Sequence, residues 1–176
     1  PNDFMLYLND KDYTFQRFDA NEYYFKIGQT AKLLKSTMFK NGYISVQDPS
    51  AGMIVQILNP KKNEIIIDGC AAPGGKTSMI SQKMEGIGQI IAFDSCSERL
   101  KTFSETILRL GIANVKSMKK DLISSQIPKS KKILLDVPCS GTGVMSKRAD
   151  LRWHRKKKEI NRFAEQQFKI LENTSQ

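Results

Sequence analysis

The chain has 176 residues, of which 40% are apolar and 26% charged. This length gives room for one domain with its own hydrophobic core, and the composition is typical of a globular rather than a disordered protein. No apolar run approaches the roughly 18 residues that a membrane-spanning helix needs, so we expect no membrane protein. The three cysteines are few and odd in number, which favours an intracellular reducing compartment. The first residue is Pro1 rather than methionine, as expected for a fragment of a longer protein.

Basic residues outnumber acidic ones by 28 to 18, and the excess is concentrated in one stretch. Between Lys129 and Arg162 there are eleven basic residues and three acidic ones. Such a surface attracts polyanions, with nucleic acid the leading candidate, and a solvated lysine-rich surface is the alternative. Trp153, in the same stretch, is predicted to pack against the protein rather than to stack on a base. The predicted phosphate-contacting residues are Lys147, Arg148, Arg152, Arg155, Lys156, Lys157 and Lys158.

The aromatic residues are concentrated at the other end of the chain, where ten of the fifteen precede residue 44. This segment shows no clear hydrophobic period, so residues 1–43 are predicted to form a small N-terminal subdomain or extension. Aromatic side chains near basic residues stack on bases in some proteins, but a packing role is the more common one. Residues 44–176 are predicted to form the main domain.

The pattern of the main domain begins with a short amphipathic helix. Asp48-Pro49-Ser50 is a helix start, and Asn59-Pro60 ends the helix. Residues 64–68 form a continuous apolar run with β-branched residues, which is typical of a buried parallel strand. A glycine-rich turn and a helix from Thr77 to about Met84 follow. The apolar residues assigned to the first helix are Met53, Ile54, Ile57 and Leu58.

Strands and helices continue to alternate. Residues 89–94 are a second buried strand, a helix ends at Gly111, a weak strand leads to Asp121, and residues 132–136 are another buried strand. This alternation predicts an α/β fold, a doubly wound parallel sheet with ligands at the carboxyl ends of its strands. The helix before Gly111 carries Leu100, Phe103, Ile107 and Leu110 on one face, and the last helix carries Ile160, Phe163, Ala164, Ile170 and Leu171.

The turn from Asp68 to Thr77 closes the first strand and opens the next helix. Its small residues allow a ligand close to the backbone, and a helix N-terminus offers free amides. A dinucleotide fingerprint requires spaced glycines, whereas here they are adjacent. A P-loop requires glycine five residues before Gly75, where Cys70 stands. The third interpretation is a nucleoside cofactor that lies across the strand ends.

Carboxylates at the strand ends favour the nucleoside interpretation. Asp94 ends the second strand, 19 residues after Gly75, where it is placed to accept hydrogen bonds from both hydroxyls of a ribose. Asp121, after the third strand, is placed to face an adenine amino group, although a helix cap or turn residue is the alternative. Asp136 ends the fourth strand. The P-loop interpretation gives no role to Asp94 or Asp121.

A thiol follows the fourth strand in the segment from Asp136 to Gly143. Cysteine attacks soft electrophiles, and C6 of a pyrimidine is one of them. Addition at C6 makes C5 nucleophilic enough to take a methyl group. On its own the motif is weak, because most cysteines are buried structural thiols. The motif by itself therefore makes Cys139 only a candidate nucleophile.

Taken together, the motifs in residues 42–171, about three quarters of the chain, resemble those of a known protein family. This stretch strongly resembles the Sun (Fmu) family of RNA cytosine-5 methyltransferases, which use S-adenosylmethionine. The resemblance implies a Rossmann-like methyltransferase sheet and an RNA substrate, ribosomal or transfer RNA, with no membrane or metal involved. The motifs that carry it are Gly42 to Asp48, Asp68 to Thr77, Asp136 to Gly143 and Asp150 to Trp153.

The resemblance also implies roles for individual residues. Asp94 would hold the ribose, Asp121 the adenine, and Arg99 would belong to the cofactor loop. Asp136 would lie beside both the cofactor and the target base, and Asp136 and Cys139 would be the catalytic residues. The methionine end of the cofactor would lie in a cradle formed by Cys70, Ala71, Ala72, Pro73, Gly74, Gly75 and Lys76.

The chain departs from the family pattern in one respect. The usual nucleophile of the family is a Thr-Cys-Ser motif after the last helix, and these 176 residues do not contain it. In the family the Pro-Cys-Ser cysteine, here Cys139, assists release of the methylated product. Related DNA enzymes place their nucleophile in a Pro-Cys motif, so attack by Cys139 stays open. The alternatives to a methyltransferase are a P-loop-like nucleotide hydrolase and a non-catalytic RNA-binding protein on the same fold.

The family sheet has the strand order 3-2-1-4-5-7-6, and only the first four strands are encoded here. We therefore expect a truncated sheet in which the strand ending at Asp136 is left at an edge. A long apolar edge without interruption is a template for pairing with another chain. The 176-residue chain is accordingly expected to be marginally stable, and to aggregate, to pair edge to edge or to be accompanied by further residues.

Overall fold

The computed structural model describes residues 2–18, 23–144, 153 and 156–176. The aromatic-rich N-terminal segment forms a small layer of its own: a helix packs on a two-stranded antiparallel hairpin, and two short helices follow. Leu8, Tyr13 and Leu33 are its buried centre, and the rings of Phe4 and Phe25 meet edge to face at 5.3 Å. Packing is therefore what most of these aromatic residues do. The elements are α1 (Asn2–Asp10), β1 (Phe15–Arg17), β2 (Phe25–Ile27), α2 (Thr30–Leu34) and α3 (Thr37–Lys40).

The main domain is an α/β unit around a parallel sheet, as predicted. Its four strands lie in the order β5-β4-β3-β6, with β3 and β4 in the centre. Ile66 is level with Ile90 on β4 and with Lys132 on β6, so the carboxyl ends of the three strands lie at one edge of the sheet. The elements are α4 (Pro49–Leu58), β3 (Ile65–Gly69), α5 (Gly75–Lys83), β4 (Gln89–Asp94), α6 (Ser97–Arg109), β5 (Val115–Lys119), β6 (Lys132–Leu135), a 3-10 turn (Thr142–Val144) and α7 (Lys157–Thr174).

Helices cover both faces of the sheet because the strands are apolar on both sides. Ile66 and Ile90 point to the face that α4 and α5 cover, and Ala92 to the part of it under α6. Ile67 and Phe93, one residue out of phase, point to the opposite face, where Ile170 of α7 packs. This arrangement confirms the doubly wound fold.

In the described part of the chain, contacts of Tyr24 and of Arg109 join the N-terminal layer to the main domain. The Tyr24 hydroxyl donates a hydrogen bond to Sδ of Met79 at 3.4 Å and lies over Gly52, where a Cβ would come within 2.3 Å of the hydroxyl oxygen. Arg109, at the end of α6, donates to the carbonyl oxygens of Phe39 and Ile44. The boundary after residue 43 stays a prediction, since Ile44 packs on the N-terminal core.

The buried faces of two helices differ from the sequence expectation. α4 has the predicted bounds, with Asp48 as N-cap, but it buries Gly52 and Val55. Of the apolar residues assigned to this helix, Leu58 packs against the core, whereas Met53, Ile54 and Ile57 are exposed. On α7 only Ile170 of the predicted stripe is fully buried, because β6 is the last strand on that side among the described residues.

No helix in the described parts of the chain is long and apolar enough to cross a membrane. Cys70, Cys96 and Cys139 are all free thiols. The reducing compartment expected from the sequence stays a prediction.

Candidate functional site

The turn after β3 brings the chain back to the sheet edge in an uncommon conformation. Cys70 adopts the left-handed region with φ of 61°, and Gly74, the N-cap of α5, has φ of 102°. Left-handed backbone at a residue with a Cβ is uncommon and concentrates at functional sites. The turn is held by Ala71, whose N–H donates to the carbonyl of Phe93 at 2.9 Å, and by Gly74, whose N–H donates to the carbonyl of Ala71. The result is a fixed loop that presents the N-terminus of α5.

Asp68 is a buried carboxylate directly beneath this loop. It has no exposed surface, and its Oδ2 accepts a hydrogen bond of 2.5 Å from the hydroxyl of Thr77. Its Oδ1 has no hydrogen-bond partner among the described residues. Burial raises the pKa of Asp68 to about 7, against the opposing effect of the Thr77 hydrogen bond. A buried acceptor without a donor is costly unless a donor arrives from a ligand or water.

Lys76 and Asp136 meet across the mouth of the site, although they are 60 residues apart. The ammonium of Lys76 lies 2.6 Å from Oδ2 of Asp136. The pair faces a cavity of about 160 Å³ at the carboxyl edge of β3 and β6. This edge is where ligands bind in open α/β sheets. The cavity is lined by Val46, Gln47, Asp68, Cys70, Ala71, Ala72, Pro73, Gly75, Lys76 and Asp136.

The structure thus brings most of the predicted cradle and Asp136 to one cavity, but it places Asp94 behind the loop. Asp94 is only 2% exposed. Its Oδ1 accepts from the N–H of Cys96 at 3.0 Å, and its Oδ2 accepts from the N–H of Ala72 at 3.3 Å. Arg99 bridges the same elements, since it donates to the carbonyl of Ala72 and lies 3.4 Å from Oδ2 of Asp94. The ribose role of Asp94 stays a prediction, and binding in that mode requires the Ala72 and Arg99 contacts to rearrange.

Asp121 lies in a turn, Cys70 is partly buried, and Cys139 is exposed. Oδ1 of Asp121 accepts from the N–H of Ile123 at 3.0 Å, which is the turn role considered from the sequence, and its contact with adenine stays a prediction. Burial raises the pKa of the Cys70 thiol to about 11, so that it is protonated at neutral pH and a poor nucleophile. Cys139 is exposed and does not line the cavity.

Most of the predicted RNA-contacting residues cannot be placed. Lys147, Arg148, Arg152 and Arg155 lie outside the described residues, as does the side chain of Lys157. Lys156 and Lys158 are exposed at the start of α7. Trp153 is 86% exposed, so the prediction that it packs against the protein was wrong.

Three cavity residues received no role from the sequence. Val46 and Gln47 lie in the stretch Gly42 to Asp48, which identified the family but suggested no contact. Asp68 lies at a strand end like Asp94 and Asp136, and that position was the available signal. Nothing in the sequence indicated that Gln47 contacts Gly75.

The comparisons with known proteins agree with this geometry. The family model described as 16S rRNA methyltransferase RsmB/F matches residues 55–176, which is more than half of the chain. The chain belongs to the RsmB/F methyltransferase family. This confirms the resemblance to the Sun family and leaves the P-loop interpretation without support.

Two curated relatives of this RsmB/F chain differ in their RNA. The probable ribosomal RNA small subunit methyltransferase B of Synechocystis is 42% identical over 130 residues, which are 72% of this chain and 29% of the relative. A tRNA (cytosine(72)-C(5))-methyltransferase of Pyrococcus horikoshii is 42% identical over 113 residues, 62% of this chain and 28% of the relative. The chain thus spans about a third or less of the length of the first curated relatives it matches.

A solved relative shares the fold of the RsmB/F chain. It is NSun6 from Pyrococcus horikoshii, determined with SFG, an analogue of S-adenosylmethionine. It superposes with a TM-score of 0.73 at 36% identity and covers 80% of this chain, which corresponds to 36% of its own length.

Proposed function

We propose that this chain is the cofactor-binding core of an S-adenosylmethionine-dependent enzyme that methylates C5 of cytosine in RNA. The observation that carries the proposal is the cavity at the carboxyl edge of β3 and β6, which joins the family's cradle to the Lys76–Asp136 pair. The family membership and the relatives named for cytosine C5 support the reaction.

The residues at the cavity fit the amino-acid end of the cofactor. The first N–H groups of α5 have no partner within their own helix and carry a partial positive charge, which suits a carboxylate. The buried Oδ1 of Asp68 has no donor among the described residues and suits an ammonium group. The cofactor, when bound, supplies an electrophilic methyl group.

The chain's own groups have three tasks in this reaction. The α5 loop holds the donor at the edge of the sheet, and Asp136 and Lys76 orient the acceptor base beside it. The C5 position becomes nucleophilic when a cysteine thiolate adds to C6. After methyl transfer a base removes the C5 proton, and elimination of the thiolate then restores the ring. Cys139 is exposed, and its position in the Pro-Cys-Ser motif supports a role in release of the methylated product. A cytosine in structured RNA must leave its stack first, at a cost of a few kcal/mol.

Calorimetry tests the binding half of the proposal. We expect S-adenosylhomocysteine to bind the protein, and ATP with Mg²⁺ not to bind. The reverse pattern would favour the nucleotide hydrolase.

Asp136→Asn tests the catalytic half. Without the carboxylate, Lys76 loses its partner and the base loses its orienting acceptor, so we expect methyl transfer to fall by roughly 10²-fold or more. The measurement is 5-methylcytidine in RNA by nucleoside mass spectrometry, with the protein that carries this chain. Glu105→Gln, an exposed position on α6, is the matched control and should retain activity. Full activity of folded Asp136→Asn would contradict the assignment.

A further inference from the structure

Gln47 is held at the cavity from two sides. On the N-terminal side, Nη1 of Arg109 donates to the carbonyl oxygens of Phe39 at 2.6 Å and Ile44 at 3.1 Å. On the C-terminal side, Asp48 caps α4 by accepting from the N–H of Ser50 at 3.0 Å. A short segment fixed at both ends has little freedom, so the position of Gln47 is set by the fold and not by its own contacts.

The Gln47 side chain lies against the first residue of α5. A Cβ built on Gly75 would lie 2.4 Å from Nε2 of Gln47 and 2.8 Å from Oε1. Only glycine at position 75 leaves this space to the amide. Gln47 is half-buried and lines the cavity. A positioned amide donor therefore lies beside the free N–H groups of α5.

The cavity offers both signs of charge at short range. Its donors are the Gln47 amide, the α5 N-terminus and the ammonium of Lys76. Its acceptors are Asp136 and Oδ1 of the fully buried Asp68, which has no hydrogen-bond partner in the described part of the chain. A ligand group with a carboxylate and an ammonium on one carbon matches both sets. A cavity of about 160 Å³ is also smaller than the roughly 300–1,000 Å³ of whole-ligand sites, so it takes one end of a larger molecule.

We propose that Gln47 is a specificity-determining residue that donates a hydrogen bond to the carboxylate of the amino-acid end of S-adenosylmethionine. The inference rests on the proposed function and deepens it, since Gln47 lies outside the α5 loop and before the residues that the family model matches. The amide and the α5 N-terminus bind the carboxylate together, while Asp68 accepts from the ammonium.

The test compares two ligands that differ only at this end. S-adenosylhomocysteine carries the amino-acid group, whereas 5′-methylthioadenosine keeps the nucleoside and the thioether without it. We expect Gln47→Ala to weaken S-adenosylhomocysteine about tenfold, as for one hydrogen bond to a charged group, and 5′-methylthioadenosine by less than about twofold. Gln47→Glu should weaken S-adenosylhomocysteine further, because two carboxylates would meet.

Two further variants separate binding from structure. Gln56→Ala removes an exposed amide from neighbouring α4 and should bind both ligands as the unaltered protein does. Gly75→Ala should reproduce the Gln47→Ala pattern, since the new Cβ displaces the amide. Affinities from calorimetry or competition give the readout.

Two results would overturn the inference. They are unchanged S-adenosylhomocysteine affinity in Gln47→Ala, with or without a loss of RNA binding, and equal weakening of both ligands. If the unaltered protein binds no S-adenosylhomocysteine, the proposed function itself fails, which is a separate outcome.

Discussion

At the scale of single residues, Asp68 shows how burial changes a common side chain. Its carboxyl group is buried at the end of β3, and one of its oxygens has no donor among the described residues. Desolvation dominates, so its pKa rises to about 7 from an ordinary value of 3.8. The folded protein therefore holds this proton more tightly than the unfolded chain.

The raised pKa predicts how stability depends on pH. Between about pH 4 and 7 the folded state binds more protons than the unfolded state, so the contribution of Asp68 to the free energy of unfolding decreases as pH rises and levels off above 7. Asp68→Asn removes this contribution, so the stability of the variant relative to the unaltered protein should increase from pH 5 to pH 8. Urea unfolding at both pH values measures the difference. Glu165→Gln, an exposed carboxylate on α7, is the control. Parallel pH profiles for Asp68→Asn and the unaltered protein would contradict the prediction.

At the scale of elements, the joint between the N-terminal layer and α6 depends on a few close contacts. Gly42 has φ of 80°, and a Cβ there would lie 1.9 Å from the carbonyl oxygen of Arg109. The Arg109 guanidinium lies 3.9 Å from the centre of the Phe39 ring, and it serves two carbonyl groups. Backbone-to-backbone contact and a charged donor thus hold the segment before Gln47.

Arg109→Met tests this joint. The variant keeps an aliphatic side chain of similar reach but loses both hydrogen bonds and the cation–π contact, so we expect the free energy of unfolding to fall by about 2 kcal/mol. Limited proteolysis should also begin to cleave near residues 35–47. Lys101→Met, an exposed position on the same helix, should show neither change. If Arg109→Met resists protease as the unaltered chain does, the joint is held by other contacts.

At the scale of the whole molecule, the two edges of the sheet differ. β5 carries exposed lysines at Lys116 and Lys119, and charged edges resist pairing. β6 is bonded to β3 on one side and to no other described strand. Beside it Leu135, Val137, Phe168 and Leu171 line an open apolar surface, and Phe168 is 65% exposed.

This edge predicts self-association of the 176-residue chain. Unpaired backbone groups next to an apolar surface favour pairing with a second copy, so we expect the mass measured by light scattering to rise with concentration. Phe168→Lys should shift the population toward monomer because it charges that surface. Leu108→Lys changes a residue that is 82% exposed on α6 and should leave association unaltered. A monomer at every concentration, with a cooperative melting transition, would show that the edge is protected.

The sequence by itself determined the alternation of strands and helices. The spacing of apolar residues and the positions of turn residues are local properties of the chain, so they can be read without the tertiary structure. The same local signals located the Asp68 to Thr77 turn and Asp136 at strand ends, and hence the edge of the sheet that carries the site. The carboxyl ends of parallel strands lie at the same edge of a sheet. The separate motifs were therefore predicted to meet at one ligand site.

Only the tertiary structure decided which groups meet there. Gln47 contacts Gly75, and Asp94 turns its oxygens to Ala72 and Cys96 instead of to the cavity. The buried side of α4 is likewise set by Val55 against the sheet and not by its more numerous apolar residues. Such contacts join residues distant in the chain, and their outcome depends on how whole elements pack, which no local pattern of residues specifies.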